Sequence, residues 1–187
     1  AATRMGHDLV SGKDKATKVA AWLAFLREHP NAMLYCFRGG QRSSIACEWL
    51  KTEGHNVPKI DGGYKALRRC LLSTMENLPP LIIVAGKTGS GKTEFLQQFD
   101  QAIDLEGIAN HRGSAFGRHI SVQPTQLNFE NELSVNFLKL AQHPSILVED
   151  EGRMIGKVHL PPPLQEKMQN APIALLEDSI EMRTERI

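Results

Sequence analysis

Apolar residues in the first part of the chain recur in two alternating patterns. Residues 16–29 carry them at the spacing of one helical face, with Pro30 as a breaker, and residues 43–53 repeat that spacing. Residues 33–36 and 57–60 form short apolar runs of strand length. Because helices alternate with strands, the pattern predicts a parallel sheet of the α/β class.

A second series of elements begins after the prolines at positions 79 and 80. Residues 81–84 are a run of β-formers that is short enough for a buried parallel strand. The pattern then predicts a helix, a strand, a helix and a strand at residues 92–99, 102–105, 131–142 and 146–148. The sequence therefore predicts two α/β domains, residues 1–75 and residues 76–187.

Charge is distributed unevenly between these domains. Residues 1–75 contain 12 lysines and arginines against 6 aspartates and glutamates, whereas residues 76–187 contain 10 against 15. The asymmetry suggests units with different partners, and the basic half either faces nucleic acid or is an ordinary solvated surface. No apolar stretch reaches the ~18–20 residues that cross a bilayer, so we expect a cytoplasmic protein with no membrane partner.

The strongest motif follows the run at residues 81–84. The pattern of Gly, four residues and Gly-Lys-Thr between a strand and a helix is that of a phosphate-binding P-loop. Its backbone amides and the helix N-terminus converge on phosphate oxygens, Lys92 adds a full charge, and the Thr93 hydroxyl suits Mg²⁺. The predicted diphosphate- or nucleotide-binding residues are Gly86, Lys87, Thr88, Gly89, Ser90, Gly91, Lys92 and Thr93.

Polar residues near later strand ends are candidates to support this loop. P-loop proteins usually hold their metal through an acidic residue at the end of a second apolar strand, and Glu149 and Asp150 both suit that position. Asp150 is the commoner residue type for this role, so Thr93 and Asp150 are the candidate Mg²⁺ ligands. Further candidates at the same carboxyl edge of the sheet are Asp104, His111, Arg112, Ser114 and Arg118.

The second motif runs from Cys36 to Arg42, between a predicted strand and a predicted helix. Successive amides of such a loop form an anion nest. Together with the helix N-terminus, Arg38 and Arg42, they are expected to lower the pKa of the Cys36 thiol. Cys36, Arg38 and Arg42 are therefore the candidate catalytic residues. The three cysteines show no paired spacing, so Cys36, Cys47 and Cys70 are predicted to be free thiols.

A cysteine, five residues and an arginine between strand and helix resembles the active loop of rhodaneses and, more distantly, that of cysteine phosphatases. Residues 61–64, Asp-Gly-Gly-Tyr, resemble the strand-to-helix turn of rhodaneses, and the loop contains no acidic residue to serve as a general acid. Both features favour transfer of a sulfur-family atom. The first domain thus resembles part of a rhodanese, followed by a domain of the P-loop NTPase type.

The two motifs, together with residues 104–117 and 148–151, resemble the tRNA 2-selenouridine synthase family. The resemblance implies exchange of sulfur for selenium in the wobble 2-thiouridine of tRNA. Selenophosphate is the implied donor, and the implied intermediate is geranylated with geranyl diphosphate. On this interpretation the P-loop holds the diphosphate, Cys36 serves the selenation step, and no tightly bound cofactor is expected beyond a candidate Mg²⁺.

The resemblance also implies further chain at both ends, with rhodanese strands before residue 1 and tRNA contacts after residue 187. Two other functions remain open on the motifs alone. A P-loop ATPase or kinase with an attached rhodanese unit would use the same loop for a nucleotide. A nucleotide-dependent RNA-binding module would not require Cys36.

Overall fold

The structure is a computed structural model that describes Met5 and residues 9–111 and 122–186. The chain divides into two compact units, with the boundary after Arg68. This boundary lies inside a helix, a few residues before the position that the sequence suggests. None of the helices in the described part of the chain combines the length and the hydrophobicity that crossing a membrane requires.

The first unit is built mainly from amphipathic helices. Its main helices are α1 (Gly12–Glu28), α2 (Gln41–Thr52) and α3 (Gly63–Thr74), which continues into the second unit. Val19 of α1 and Leu50 of α2 are buried. The rings of Trp22 and Trp49 stack with their centroids 6.3 Å apart. The two predicted helices are therefore confirmed, and their apolar faces pack together.

The two strands predicted for this unit are reduced to one parallel bridge between Leu34 and Lys59. Leu34 N–H donates to Pro58 O at 2.8 Å, and Ile60 N–H donates to Leu34 O at 2.9 Å. The short strands predicted at residues 33–36 and 57–60 are therefore too long, since the parallel pairing is limited to one residue of each. Pro58 has no N–H to donate, and neither segment pairs with a further strand among the described residues, so the ladder stays short.

The second unit is a parallel sheet flanked by helices. Its strands are β1 (Leu81–Gly86), β2 (Ala102–Ile103), β3 (Ile146–Glu149), β4 (Met154–Ile155), β5 (Val158–His159) and β6 (Ile173–Leu176). Its helices are α4 (Lys92–Leu96), α5 (Leu105–Ala109), α6 (Gln126–Lys139), α7 (Pro162–Gln169) and α8 (Ile180–Glu185). Strands β2, β3, β1 and β6 lie side by side in that order, each parallel to its neighbour, which confirms the predicted α/β class.

Most elements of this unit match the predicted pattern. Strands β1, β2 and β3 confirm the three predicted strands. Helix α6 begins earlier than predicted because Thr125 caps it, with its hydroxyl accepting the Asn128 N–H at 3.3 Å. Strand β6 was not predicted, and it pairs with β1 up to Gly86 and Leu176.

Both faces of β1 are buried, as expected for a strand inside a parallel sheet. Ile83 packs on one face in the main core with Phe129 and Phe137, whereas Val84 packs on the other face with Leu96. Because β1, β2, β3 and β6 are parallel, their carboxyl ends share one edge of the sheet. The loops that leave this edge carry the candidate residues of the second unit.

Candidate functional site

Cys36 lies just after the bridge residue Leu34, and α2 begins a few residues later. Its sulfur is 3.3 Å from the hydroxyl oxygen of Ser43, in the first turn of α2. Ser43 is buried, and its hydroxyl also donates to Gly40 O at 2.9 Å. The thiol is therefore placed against the start of a helix.

These contacts lower the pKa of the Cys36 thiol to about 6. The largest contribution is the hydrogen bond with the Ser43 side chain. Hydrogen bonds from the backbone of Ser43, Arg38 and Gly40 add to it, and partial burial opposes it. Ser43 has one hydroxyl proton, so it donates either to Gly40 O or to a thiolate at Cys36. Loss of the thiol proton thus lets Ser43 turn its proton to the sulfur, which stabilises the thiolate near neutral pH.

The turn at residues 61–64 holds this loop in place. Tyr64 N–H donates to Cys36 O at 2.9 Å, and Lys65 N–H donates to Phe37 O at 3.2 Å. Gly63 has a φ of 59°, and a side chain there would collide with Cys36 O. Glycine is required at position 63 for both reasons. The two stretches compared with rhodaneses are therefore in direct contact.

Arg38 and Arg42, the other candidate catalytic residues of the first unit, are both exposed. Arg38 contributes to the low pKa of Cys36 through its backbone. Cys47 is half-buried, and its thiol donates to Val57 O at 3.7 Å. Cys47 and the exposed Cys70 are free thiols, as is Cys36, which confirms the prediction.

The P-loop of the second unit connects β1 to α4. Gly89 and Gly91 adopt φ values of 79° and 80°, a region that favours glycine. Lys92 Nζ donates to Gly86 O at 3.1 Å. Ser90 is buried, and its hydroxyl oxygen has no hydrogen-bond partner among the described residues. A buried hydroxyl without a partner is costly.

The helix after β6 packs directly on this loop. Arg183 Nε donates to Thr88 O at 2.9 Å, and Arg186 donates to Gly89 O at 3.2 Å. Arg186 also forms ion pairs with Asp178 and, at 3.4 Å, with Glu94. Two successive carbonyl groups of the P-loop are therefore bound by arginines from a distant part of the chain.

A cluster of carboxylates lies at the ends of β2 and β3. One oxygen from each of Glu106, Glu149 and Glu151 lies within 4.8 Å of the others. Burial, followed by repulsion from Glu106, Asp104 and Glu151, raises the pKa of Glu149 to about 8. Burial and a hydrogen bond with Glu106 raise the pKa of Glu151 to about 7, against the opposing charge of Lys92. The cluster therefore holds protons near neutral pH, close to the P-loop lysine.

Asp104 and Asp150 occupy different positions from these glutamates. Asp104 caps α5, since its carboxylate accepts the Gly107 N–H at 2.7 Å. Asp150 is exposed, and its backbone N–H donates to Val84 O at 3.0 Å. The buried carboxylate at the end of β3 is therefore that of Glu149.

The remaining predicted residues of this site are only partly described. Thr93 lies half-buried in the first turn of α4. The Nδ1 atom of His111 is buried without a hydrogen-bond partner among the described residues, and a side chain at Gly156 would collide with the His111 ring. Outside the described residues lie the candidates Arg112, Ser114 and Arg118.

The sequence analysis did not select every residue that the structure brings to these sites. Those missed are Ser43, Glu106, Glu151, Arg183 and Arg186. The strand-end rule that selected Asp104 extends to Glu106, two residues further on. Arg183 and Arg186 reach the P-loop because β6 lies beside β1 in the sheet. The apolar pattern did not predict β6, so these arginines could not be selected.

Comparison with known proteins identifies the second unit. Residues 79–187 match the family model of the tRNA 2-selenouridine synthase AAA domain. The chain belongs to the tRNA 2-selenouridine synthase family. Over its whole length it is 50% identical to proteins named tRNA 2-selenouridine synthase from Shewanella woodyi and Shewanella loihica, and 48% identical to one from Pseudomonas fluorescens.

The chain spans about half the length of these relatives, 52% of the two Shewanella proteins and 53% of the Pseudomonas protein. No solved structure matches it. The AAA-domain model of the tRNA 2-selenouridine synthase family covers the P-loop, the carboxylate cluster and α8. The Cys36 loop precedes that domain, in a part of the chain that the family relatives also match.

Replacing Ser43 by alanine is expected to raise the pKa of Cys36 from about 6 toward the ordinary thiol value, because the thiolate loses its hydroxyl donor. The pH dependence of iodoacetamide alkylation measures this change, with peptide mass spectrometry separating the three cysteines. Ser44→Ala is the control, since the Ser44 hydroxyl accepts a hydrogen bond from Lys59 instead. If Cys36 is alkylated with the same pH midpoint in the wild type and in Ser43→Ala, the Ser43 hydroxyl does not lower the pKa of Cys36.

The raised pKa of Glu149 predicts a pH dependence of stability. Between about pH 4.5 and pH 8 the folded chain keeps a proton that the unfolded chain releases, so the free energy of unfolding should fall as the pH rises. Glu149→Gln should remove on the order of 5 kcal/mol of this decline, since each pKa unit corresponds to about 1.4 kcal/mol.

Urea denaturation at several pH values, with EDTA present to exclude metal ions, measures the effect. Glu132→Gln, which changes an exposed glutamate of α6, should leave the decline as it is. A Glu149→Gln variant with the wild-type slope would refute the buried, protonated state of Glu149.

Proposed function

We propose that the full-length protein containing this chain is a cytoplasmic tRNA-modifying transferase that replaces sulfur by selenium in wobble 2-thiouridine. Its proposed substrates are tRNA, selenophosphate and geranyl diphosphate. The observation that carries the proposal is the pairing, in a chain of this family, of a low-pKa thiol at Cys36 with a P-loop at residues 86–93.

The P-loop is proposed to serve the geranylation step. The sulfur at C2 of the base attacks the allylic carbon of geranyl diphosphate, so that a carbon–sulfur bond forms and diphosphate leaves with the electron pair of the broken carbon–oxygen bond. Lys92 and the loop amides stabilise the charge that develops on the leaving group. The half-buried position of Lys92 supports this role because its charge acts there with little competition from water.

The Cys36 loop, which resembles that of a rhodanese, is proposed to serve the selenation step. In that step the selenium of selenophosphate forms a bond with C2, and the geranylthio group leaves as a thiolate with the electron pair of the broken carbon–sulfur bond. Water then cleaves the phosphorus–selenium bond, which releases phosphate. Two roles are open to the Cys36 thiolate. It contacts selenophosphate and positions its selenium, or it attacks C2, displaces the geranyl thiolate and is then itself displaced by selenium. The backbone N–H groups that converge on the thiolate favour an anionic partner, which supports contact with selenophosphate.

Mg²⁺ is the metal that the chemistry of the second unit suits, since the donors are all oxygen atoms. The three clustered carboxylates, those of Glu106, Glu149 and Glu151, would hold it together with the hydroxyl of Thr93. We favour these glutamates over Asp150, which is exposed. When bound, the ion would neutralise charge on the diphosphate.

Single substitutions should separate the two steps in the full-length protein. Lys92→Ala should slow formation of the geranylated nucleoside by about 100-fold, because the leaving diphosphate loses its main cation. Cys36→Ala should let the geranylated nucleoside accumulate without selenouridine. Mass spectrometry of nucleosides from thiolated tRNA, incubated with geranyl diphosphate and selenophosphate, measures both.

Lys139→Ala, at an exposed position of α6, is the control and should behave as wild type. Unchanged nucleosides with the wild-type protein would overturn the proposal. ATP turnover that Lys92→Ala abolishes would then favour the alternative, a P-loop ATPase or kinase with an attached rhodanese unit.

A further inference from the structure

The segment after β6 returns to the P-loop because of the sheet topology. β1 and β6 are parallel neighbours, paired up to Gly86 and Leu176, so the chain leaves both strands at the same edge. Ser179 then caps α8, with its hydroxyl accepting the Met182 N–H at 3.2 Å. The cap marks the start of α8, and both Arg183 in this helix and Arg186 directly after it contact the loop.

Arg183 of α8 and Arg186, the residue directly after α8, bind carbonyl groups of the P-loop. A loop that points its N–H groups at an anion must turn carbonyl groups away from it, and those carbonyls need donors. Arg183 donates to Thr88 O at 2.9 Å and Arg186 donates to Gly89 O at 3.2 Å. The two hydrogen bonds satisfy successive carbonyls and restrict the orientation of the peptides between them.

The packing at Gly89 is equally close. Its φ of 79° favours glycine, and a Cβ atom there would lie only 2.5 Å from Arg183 O. A Cβ atom on Gly91 would lie 3.4 Å from the guanidinium carbon of Arg186. Helix α8 therefore touches the loop with its backbone as well as its side chains, and position 89 has no room for a side chain.

The charge of Arg186 is already balanced by carboxylates. Asp178, just before α8, and Glu94, in α4, both pair with its guanidinium group. The ion pair lowers the pKa of Asp178. Arg186 thus links the P-loop, α4 and the turn after β6. Because two carboxylates neutralise its charge, its guanidinium group supports the loop and does not act as a free cation.

We propose that Arg183 and Arg186 are positioning residues that hold the P-loop in its anion-binding conformation, so that binding at the loop depends on the segment after β6. The inference rests on the proposed function, in which a diphosphate is the ligand of this loop. It adds that Asp178 promotes binding of an anion although Asp178 is itself negatively charged.

The direction in which Asp178→Asn changes the affinity for inorganic pyrophosphate tests this inference. If Asp178 works by anchoring Arg186, its loss should weaken binding of inorganic pyrophosphate by about 10-fold, which corresponds to about 1.4 kcal/mol. If only charge matters, removal of a negative group should tighten binding. Isothermal titration calorimetry measures the affinity, with Glu166→Gln as a control that removes an exposed acidic group elsewhere in the second unit.

Arg183→Lys and Arg186→Lys keep the positive charge but lose the planar guanidinium group and the fixed geometry of its N–H donors. Each should therefore also weaken pyrophosphate binding. We expect the losses to persist in 0.5 M salt, which screens exposed charges that are more than about 4 Å apart. The melting temperature without ligand should stay unchanged. In the full-length protein the KM for geranyl diphosphate should rise while that for tRNA stays constant. Tighter binding by Asp178→Asn, or wild-type affinity in both lysine variants, would overturn the inference.

Failure of the proposed function is distinguishable from failure of this inference. Wild-type binding of pyrophosphate that Lys92→Ala abolishes locates the ligand in the P-loop. If the wild type binds ATP but no pyrophosphate, the proposed diphosphate donor is refuted, and the same variants measured with ATP decide the role of the arginines. A wild type that binds neither ligand refutes both.

Discussion

The parallel pairing of β1 with β3 and β6 is the constraint on which the second unit depends. In this register Val84 lies beside Glu149 and Gly86 beside Leu176, so three strands end within a short span of one sheet edge. Segments far apart in the chain meet there without any long-range sequence signal. Because each strand is fixed by its neighbours, the P-loop, the carboxylates and α8 inherit their positions from the sheet.

The same edge concentrates charges that burial makes costly. Glu149 is 1% exposed at the end of β3, and Glu106 and Glu151 approach it closely enough to repel its ionised form. A proton or a cation must offset this repulsion, and Lys92 already does so in part for Glu151. The electrostatic state of the cluster is therefore linked to whatever occupies the P-loop, since an anion there competes for Lys92.

The sequence predicted the features that rest on local patterns. The apolar runs of β1 and β3 are buried on both faces, and a glycine-rich loop between a strand and a helix follows from spacing alone. The strands around Leu34 and Lys59 were predicted too long because a run of apolar residues does not reveal whether further partner strands are present. Asp150 and Glu149 were indistinguishable by spacing, and only the register of β3 with β1 shows which one is buried. Arg183 and Arg186 required knowledge of β6, whose neighbour in the sheet is distant in the chain.

The two units prepare their loops for anions by different means. At Cys36 the negative charge belongs to the protein, so the loop needs only donors. It uses one hydroxyl and several backbone amides, and no buried cation contacts the sulfur among the described residues. At the P-loop the expected charge belongs to a ligand that arrives and leaves. The hydrogen bonds of Arg183 to Thr88 O and of Arg186 to Gly89 O involve only groups of the protein. A loop whose carbonyl groups are already hydrogen-bonded loses less conformational entropy when an anion binds, so we expect this support to raise the affinity.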